Sequence, residues 1–236
     1  MTTRYVFYCL YCAGILILAA CSGKNDKQHE TEQAIAEDSA VAGLAVDSVL
    51  SEQEILLSNG VDITGFIKSK KPAFDWKQFQ LTEYWNVDSF ITQPFSPDKN
   101  FYETYGKLLK YSPDSSFFID LDSYNLSIKK DNKGNWIAEE AGPDTEVSLV
   151  NAKTNKKVRL VFVGPGGSIE DARWIDKNNL LLFGTYANDS GISLAAVWKI
   201  NVPEKAFFLY ESNDASLAGK LTGYTRKVRL KSASIK

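Results

Sequence analysis

Three patterns of apolar and polar positions follow one another along the 236-residue chain. Tyr5 to Ala20 is a nearly unbroken apolar block, and residues 22–50 mix Ala, Ser, Glu and Asp with no Pro, Trp, Tyr or Phe. From about Ala73 onward, short apolar blocks alternate with turn residues. All seven prolines and all five tryptophans fall between Pro72 and Tyr210, so this third region is where a core can form. Apolar blocks of this length between Gly, Pro, Asn and Asp clusters predict β-strands.

The clearest stretch places strands at Asp171–Ile175, Asn179–Tyr186, Ile192–Ile200 and Ala206–Tyr210. Turns at Asp176-Lys177-Asn178, Asn188-Asp189-Ser190-Gly191 and Pro203-Glu204-Lys205 join them. Strands with such short connections form an antiparallel meander. An earlier stretch repeats the plan, with strands expected at Lys107–Tyr111, Ser116–Asp122, Leu126–Lys130, Asn135–Glu139, Thr145–Asn151 and Lys156–Val163. Ahead of them one short helix is expected. Ser51 and Glu54 make a capping box, Ile55-Leu56-Leu57 follows, and Gly60 suits a left-handed stop.

Tyr111-Ser112-Pro113-Asp114-Ser115-Ser116-Phe117-Phe118 parallels Phe95-Ser96-Pro97-Asp98-Lys99-Asn100-Phe101-Tyr102, and more loosely the stretch from Trp174 to Leu181. An aromatic, then Ser-Pro-Asp, then an apolar strand resembles the repeat of TolB-type and WD-type β-propellers, where Ser-Pro-Asp joins the first two strands of a blade. The resemblance covers residues 95–212. A propeller needs at least about four blades of four strands, more than this length holds. The expected fold is therefore mainly β, with propeller-like meanders too few to close, packed as two sheets or a partial barrel. A dimer that completes the arrangement is the alternative.

The first block is too short to span a membrane: its sixteen residues reach about 24 Å at ~1.5 Å each, against a hydrocarbon core of ~30 Å. Arg4 ahead of it and small residues at its end form a secretory pattern. Leu18-Ala19-Ala20-Cys21 looks like the lipobox of a bacterial lipoprotein. That resemblance implies cleavage before Cys21, acylation of its thiol and a membrane anchor made of lipid, since two or more acyl chains hold a protein stably. Ser22 in place of an aspartate resembles the outer-membrane sorting signal of enteric bacteria, with the periplasmic face and the cell surface both open. The organisation expected is a signal at 1–20, an acidic tether at 21–50, a helix and connector at 51–72, a β domain at 73–212 and a basic segment at 213–236. Asp38-Ser39-Ala40 and Asp47-Ser48-Val49 resemble the O-glycosylation acceptor pattern of Bacteroidetes envelope proteins, which implicates Ser39 and Ser48.

Charge is distributed unevenly. Ser22 to Gly60 holds eight carboxylates and two lysines, whereas Lys220 to Lys236 holds six cations and no acid. A solvated tail is the expectation for that basic run, with anionic headgroups, a glycan or the chain's own acidic segment as alternatives. A pI near 5.6 argues against a nucleic-acid partner.

Chemistry is limited by what the β region lacks. The one histidine, His29, falls in the tether, and Cys9 and Cys12 fall in the signal. A Ser-His-Asp or Cys-His arrangement is thereby excluded from the β domain, and no metal site or cofactor is expected. Gly164-Pro165-Gly166-Gly167 reads as a turn, because Pro165 removes a donor and no Lys-Ser/Thr follows to hold phosphate. Asp120 and Asp122, two apart on an expected strand, would share a face about 7 Å apart, a spacing that suits a calcium site, though without the dense oxygen-ligand loop of one, or the two carboxylates of a glycoside hydrolase. Solvent exposure or capping of the following loop is the plainer alternative. Glu170 and Asp171 are adjacent and are expected to face opposite ways.

Trp174 and Trp198 lie in apolar strands and are expected in the core. Trp76, Trp85 and Trp136 have polar neighbours and are candidates for a ligand-binding face. Two functional classes remain: a non-catalytic envelope lipoprotein that binds a glycan, peptide or protein, and a glycoside hydrolase built on Asp120 and Asp122. The first is preferred, because catalysis calls for a positioned acid–base set.

Overall fold

Alternation between sheet faces explains most of the architecture in the computed structural model, which describes residues 48–236. The chain runs through helices α1 (Glu52–Leu57) and α2 (Val61–Lys70), a 3-10 turn (Trp76–Gln78), strands β1 (Phe79–Asn86) and β2 (Thr92–Pro94), and helix α3 (Phe101–Tyr105). Strands β3 (Lys110–Tyr111), β4 (Phe117–Asp120), β5 (Leu126–Lys130), β6 (Trp136–Glu140), β7 (Thr145–Asn151) and β8 (Lys156–Val163) follow. Next come β9 (Ser168–Trp174), β10 (Asn179–Ala187), β11 (Ser193–Asn201) and β12 (Ala206–Ser212). Helix α4 (Ala215–Leu221) and a π-helical turn (Thr225–Arg229) leading into α5 (Leu230–Ser232) complete the elements.

Two five-stranded antiparallel sheets, ordered β1-β12-β11-β10-β9 and β2-β8-β7-β4-β3, pack face to face, and β5-β6 form a separate hairpin. The fold is thus mainly β, with two packed sheets and no closed barrel. In the first sheet Leu180, Leu182, Trp198, Ile200, Phe207 and Leu209 meet Ile119, Val147, Leu149 and Leu160 of the second. The intervening Leu181, Phe183, Val197, Phe208 and Tyr210 are buried too. Helix α4 packs on β11 and β10 on that opposite face, and α2 packs on α4. A strand covered on both faces reads as a continuous apolar run, which is why Leu180-Leu181-Leu182-Phe183 shows no alternation.

Strands β9 to β12 form the meander expected from the sequence. The second sheet does not repeat it: β4 pairs with β7, so the β5-β6 hairpin between them is left out of the sheet. It packs instead on the C-terminal segment, with Leu126, Ile128 and Ala138 against Leu230, Ala233 and Ile235. Of the three Ser-Pro-Asp-like stretches, those at Tyr111 and Trp174 join consecutive strands, whereas that at Phe95 leads into α3. Asp114 and Asp176 serve these two turns by accepting backbone amides, from Ser116 at 3.1 Å and from Asn178 and Asn179 at 2.6 and 2.8 Å. Hydrogen bonds from Ser112 and Ser116 hold the Asp114 carboxyl down to about 2.

Several local expectations are corrected. Among the described residues two helices precede the sheets where one was expected, because Val61–Lys70 continues as α2. Ser51 starts α1 without a side-chain cap, and the left-handed residue is Asn59 (φ 56°), while Gly60 begins α2 at φ −76°. Residues 101–105 are helical ahead of a strand shortened to Lys110–Tyr111. The Gly164–Gly167 loop does turn, carrying the chain from one sheet to the other. A Cβ on Gly167 would come within 2.2 Å of Val163 and 2.6 Å of the Thr185 carbonyl, so this position excludes any side chain.

Trp76 is not on a surface. Of its polar neighbours Asp75 caps, by accepting Lys77 N, a 3-10 turn that contains Lys77 and directs the ring inward, where it is 3 % exposed, 5.5 Å from Phe183 and 5.4 Å from Phe79. Its Nε1 donates to Thr64 Oγ1 at 3.0 Å, tying α2 to the first sheet. Replacing Trp76 with Ala should lower stability by about 3–5 kcal/mol, the usual range for a buried aromatic, as read from the urea midpoint at unchanged m-value.

Candidate functional site

The sandwich is closed on one side and open on the other. On the closed side Trp174 Nε1 donates to the Lys110 carbonyl at 2.9 Å, joining β9 to β3. On the open side residues of β1 and β8 flank a cleft with two lobes of about 520 and 580 Å³, which share Trp85 and Leu160. Volumes of this size suit a small ligand or a short segment of a larger one.

The first lobe is lined by Trp85, Phe162, Tyr186, Trp198 and Leu209, with Glu83 at its lip. The second is lined by Trp85, Phe90, Phe207, Tyr124, Lys157 and Arg159. Trp85 is half-buried and stacks on Phe207 at 5.1 Å with 6° between the rings. Phe162 is 45 % exposed and Tyr124 48 %, with Tyr124 edge-on to Phe162 at 6.0 Å and the Arg159 guanidinium 5.1 Å from the Phe162 ring. Exposed aromatics gathered at a concave rim mark a recognition surface more often than a scattered apolar residue does.

Glu146 supplies the rim's negative charge. Burial disfavours its ionised form, but hydrogen bonds from Ser148 and Arg159 and the charges of Arg159 and Lys157 outweigh that and hold its carboxyl below the usual range. Arg159 Nη2 lies 2.7 Å and Lys157 Nζ 3.6 Å from it.

Of the sequence candidates, Trp85 alone lines this cleft. Trp136 is half-buried on β6, with Lys130 Nζ 4.6 Å from its ring, and packs with the hairpin cluster. Ser48 is exposed beside the start of β1, its carbonyl accepting from Leu81 N at 2.8 Å. Cys21 and Ser39 lie outside the described residues.

Asp120 and Asp122 do not form a shared catalytic pair. Strand β4 ends at Asp120, so the two-residue period that would align their side chains does not apply. Asp120 turns back on the loop, its Oδ1 accepting from Asp122 N and Ser123 N at 3.1 and 3.0 Å and its Oδ2 from the Ser123 hydroxyl. Asp122, 2 % exposed, is held bidentately by Arg229, with Nη1 to Oδ2 at 2.9 Å and Nη2 to Oδ1 at 2.7 Å. Every carboxylate oxygen of the pair already holds a donor.

The basic C-terminal run is therefore not a solvated tail. Arg229 is 4 % exposed, and its Nε donates to the Glu170 carbonyl at 2.8 Å. The Glu170 carboxylate accepts from Gly223 N, Thr225 N and Ser168 Oγ at 2.8–3.1 Å. Asp171, fully buried, accepts from Arg173 Nε at 2.5 Å and lies 3.5 Å from Lys110 Nζ. Arg173 also reaches Asp62 and the Tyr224 hydroxyl, at 2.7 and 3.1 Å.

Glu170 and Asp171 were expected on opposite faces. The register slips between Phe183 and Gly184, which pair with Asp171 and Ile169, so Glu170 is the extra residue of a bulge. Gly184 permits that bulge, since a Cβ there would meet the Ser168 carbonyl at 2.2 Å. Among the described residues no cluster of three or more His, Cys, Asp or Glu is placed to hold a metal ion.

Compared with family models, curated proteins and solved structures, the chain matches none.

Arg229→Met should destabilise the fold by about 3–5 kcal/mol in urea unfolding, because Asp122 is left charged and buried. The double variant Asp122→Leu/Arg229→Met should recover much of that loss, since the uncompensated charge is gone. Asp120 provides a separate pH test. Burial, the largest influence, raises its pKa above 3.8 despite hydrogen bonds from Ser123 and Asp122 N. The folded state thus binds this proton more tightly than the unfolded state. Its stabilising contribution is complete below 3.8 and is lost as the pH rises through the folded value. Asp120→Asn should accordingly gain stability relative to the parent as the pH increases from 3 to 7, in urea titrations at each pH.

Proposed function

We propose that the chain is a lipid-anchored bacterial envelope protein whose β-sandwich is a non-catalytic binding module, with the ligand held in the cleft around Trp85. The observation that carries this reading is the cleft itself: two connected lobes, apolar walls and an aromatic rim at the open side of the sandwich. The glycoside-hydrolase reading has lost its footing, because both oxygens of Asp122 are held by Arg229 and those of Asp120 serve the loop amides and Ser123.

Anchoring rests on the sequence at Leu18–Cys21 and on the acidic spacer behind it. Among the described residues no helix is long and apolar enough to cross a membrane. The outer membrane follows from Ser22 by resemblance to the enteric sorting rule; a glycan at Ser39 would lie on the spacer and one at Ser48 where the chain joins the edge of β1.

Two variants test the two halves of this function. Cys21→Ala should move the protein from the membrane pellet to the soluble fraction, and a variant that still pellets would overturn the anchor. For the cleft, a glycan array and a displayed random-peptide library should yield binders of the parent protein that Trp85→Ala weakens at least tenfold. Binding that ignores Trp85, with the circular dichroism spectrum unchanged, would place the ligand elsewhere.

A further inference from the structure

The cleft lies between two strands whose hydrogen-bonding edges are incompletely used. Strand β1 ends its sheet, with β12 on one side. On its other side Ser48 to Leu50 pair with its first residues: Leu50 N donates to the Phe79 carbonyl at 3.0 Å, and Leu81 N to the Ser48 carbonyl at 2.8 Å. Beyond Leu81, no strand among the described residues continues this pairing along Glu83–Asn86. Strand β8 is in the same condition. β7 runs along one side, while β2 covers the other only at Lys156, Lys157 and Val158, leaving Arg159–Val163 without a strand there.

Residues from both uncovered stretches line the same two lobes: Glu83 and Trp85 from β1, and Arg159 to Val163 from β8. Unpaired backbone amides and carbonyls along a strand edge take up another extended backbone. The chain already uses this mode on the other part of each edge, with Ser48–Leu50 on β1 and Thr92–Pro94 on β8.

Building on the reading of the Trp85 cleft as the ligand site, we propose that its ligand is an extended peptide that inserts as a strand between the edges of β1 and β8 that no strand among the described residues covers. Five residues at ~3.3–3.4 Å each cover about 17 Å, matched to the five residues of β8 from Arg159 to Val163. Alternate side chains of the inserted strand point inward to Leu160, Trp198, Phe207 and Leu209, so every second position is apolar or aromatic. Charge sets the rest of the preference. Of the residues lining the second lobe, Lys157 and Arg159 stand against the single carboxylate of Glu146, a surplus of one positive charge, so the peptide carries an acidic residue at that end. A sugar fits this geometry less well. One face of the Trp85 ring is already taken by Phe207, and stacking would leave the backbone edges unfilled.

The test uses the full chain in detergent with decapeptides selected from a random displayed library. The selected peptides should alternate apolar positions with an acidic residue toward one end, and 0.5 M NaCl should weaken them. Hydrogen exchange should slow at amides within Glu83–Asn86 and Arg159–Val163 when the peptide is bound. Methylating the peptide's backbone nitrogens one at a time should reduce affinity tenfold or more at consecutive positions of the inserted stretch, because successive amides point alternately to β1 and to β8. Phe162→Ala, an exposed rim variant, should weaken binding at an unchanged urea midpoint, which guards against a Trp85→Ala variant that merely misfolds. Peptide binding that tolerates methylation at every position, or that adds no protection to these two strands, overturns the strand insertion. Trp85-dependent binding of array glycans without any peptide binder overturns it too, yet leaves the cleft as the ligand site. If nothing binds through Trp85, both readings fall.

Discussion

The ion pair between Asp122 and Arg229 fixes the arrangement on which the rest of this structure depends. Removing both charges from water carries a penalty of several kcal/mol per ion in a protein interior, which only close and saturated contacts offset. Here the guanidinium meets both carboxylate oxygens through two nitrogens and spends the third on the Glu170 carbonyl. Its geometry admits one position of the C-terminal helical turn relative to the loop after β4 and the bulge in β9. Glu170 strengthens that choice by accepting the backbone amides of Gly223 and Thr225. Apolar packing of α4 on β11 supplies contact area, and the charges supply the register.

Polar groups and apolar groups divide the sandwich between them. The buried charges of Asp122, Asp171 and Arg229 and the half-buried Lys110 and Arg173 gather where β9 meets β3 and the C-terminal segment and pair with one another, with only Asp171 Oδ1 left without a hydrogen bond. The opposite side is bordered by Trp85, Phe162 and Tyr186, with backbone edges that no strand among the described residues covers. A ligand entering at the first side would have to displace close ion pairs, whereas at the second it displaces water from rings and amides. This difference is what favours the β1–β8 side in the proposed binding reading.

The meander from β9 to β12 was legible in the sequence because each turn carries its own chemistry, Asp176 and Asn188 accepting the amides that reverse the chain. Long-range order was less legible. Nothing local in Leu126–Glu140 shows that this hairpin leaves its sheet to pack on Leu230 and Ile235. Trp76 misled through Asp75 and Lys77, whose polarity describes the turn and not the ring it carries. Arg229 lay hidden in a run of cations. The one available sign was its setting between Val228 and Leu230, with apolar Leu221 and Tyr224 a turn or two before it. Trp85 was identified from its neighbours, but Phe162, Tyr186 and Arg159 could be joined to it only by the pairing of the sheets.

The pairing of β1 with β12 has a consequence for the order in which the protein can be made. Phe79 lies opposite Ser212, and the Asp122–Arg229 pair spans 107 residues. Contacts so distant along the chain form slowly, since loop closure must precede any gain from them. During synthesis the first sheet lacks its central strands until residue 212 has emerged, and the buried carboxylate at 122 lacks its counter-ion until residue 229 has. The polypeptide therefore stays short of its final core for nearly the whole of its elongation, a condition in which it can still be threaded through a narrow channel.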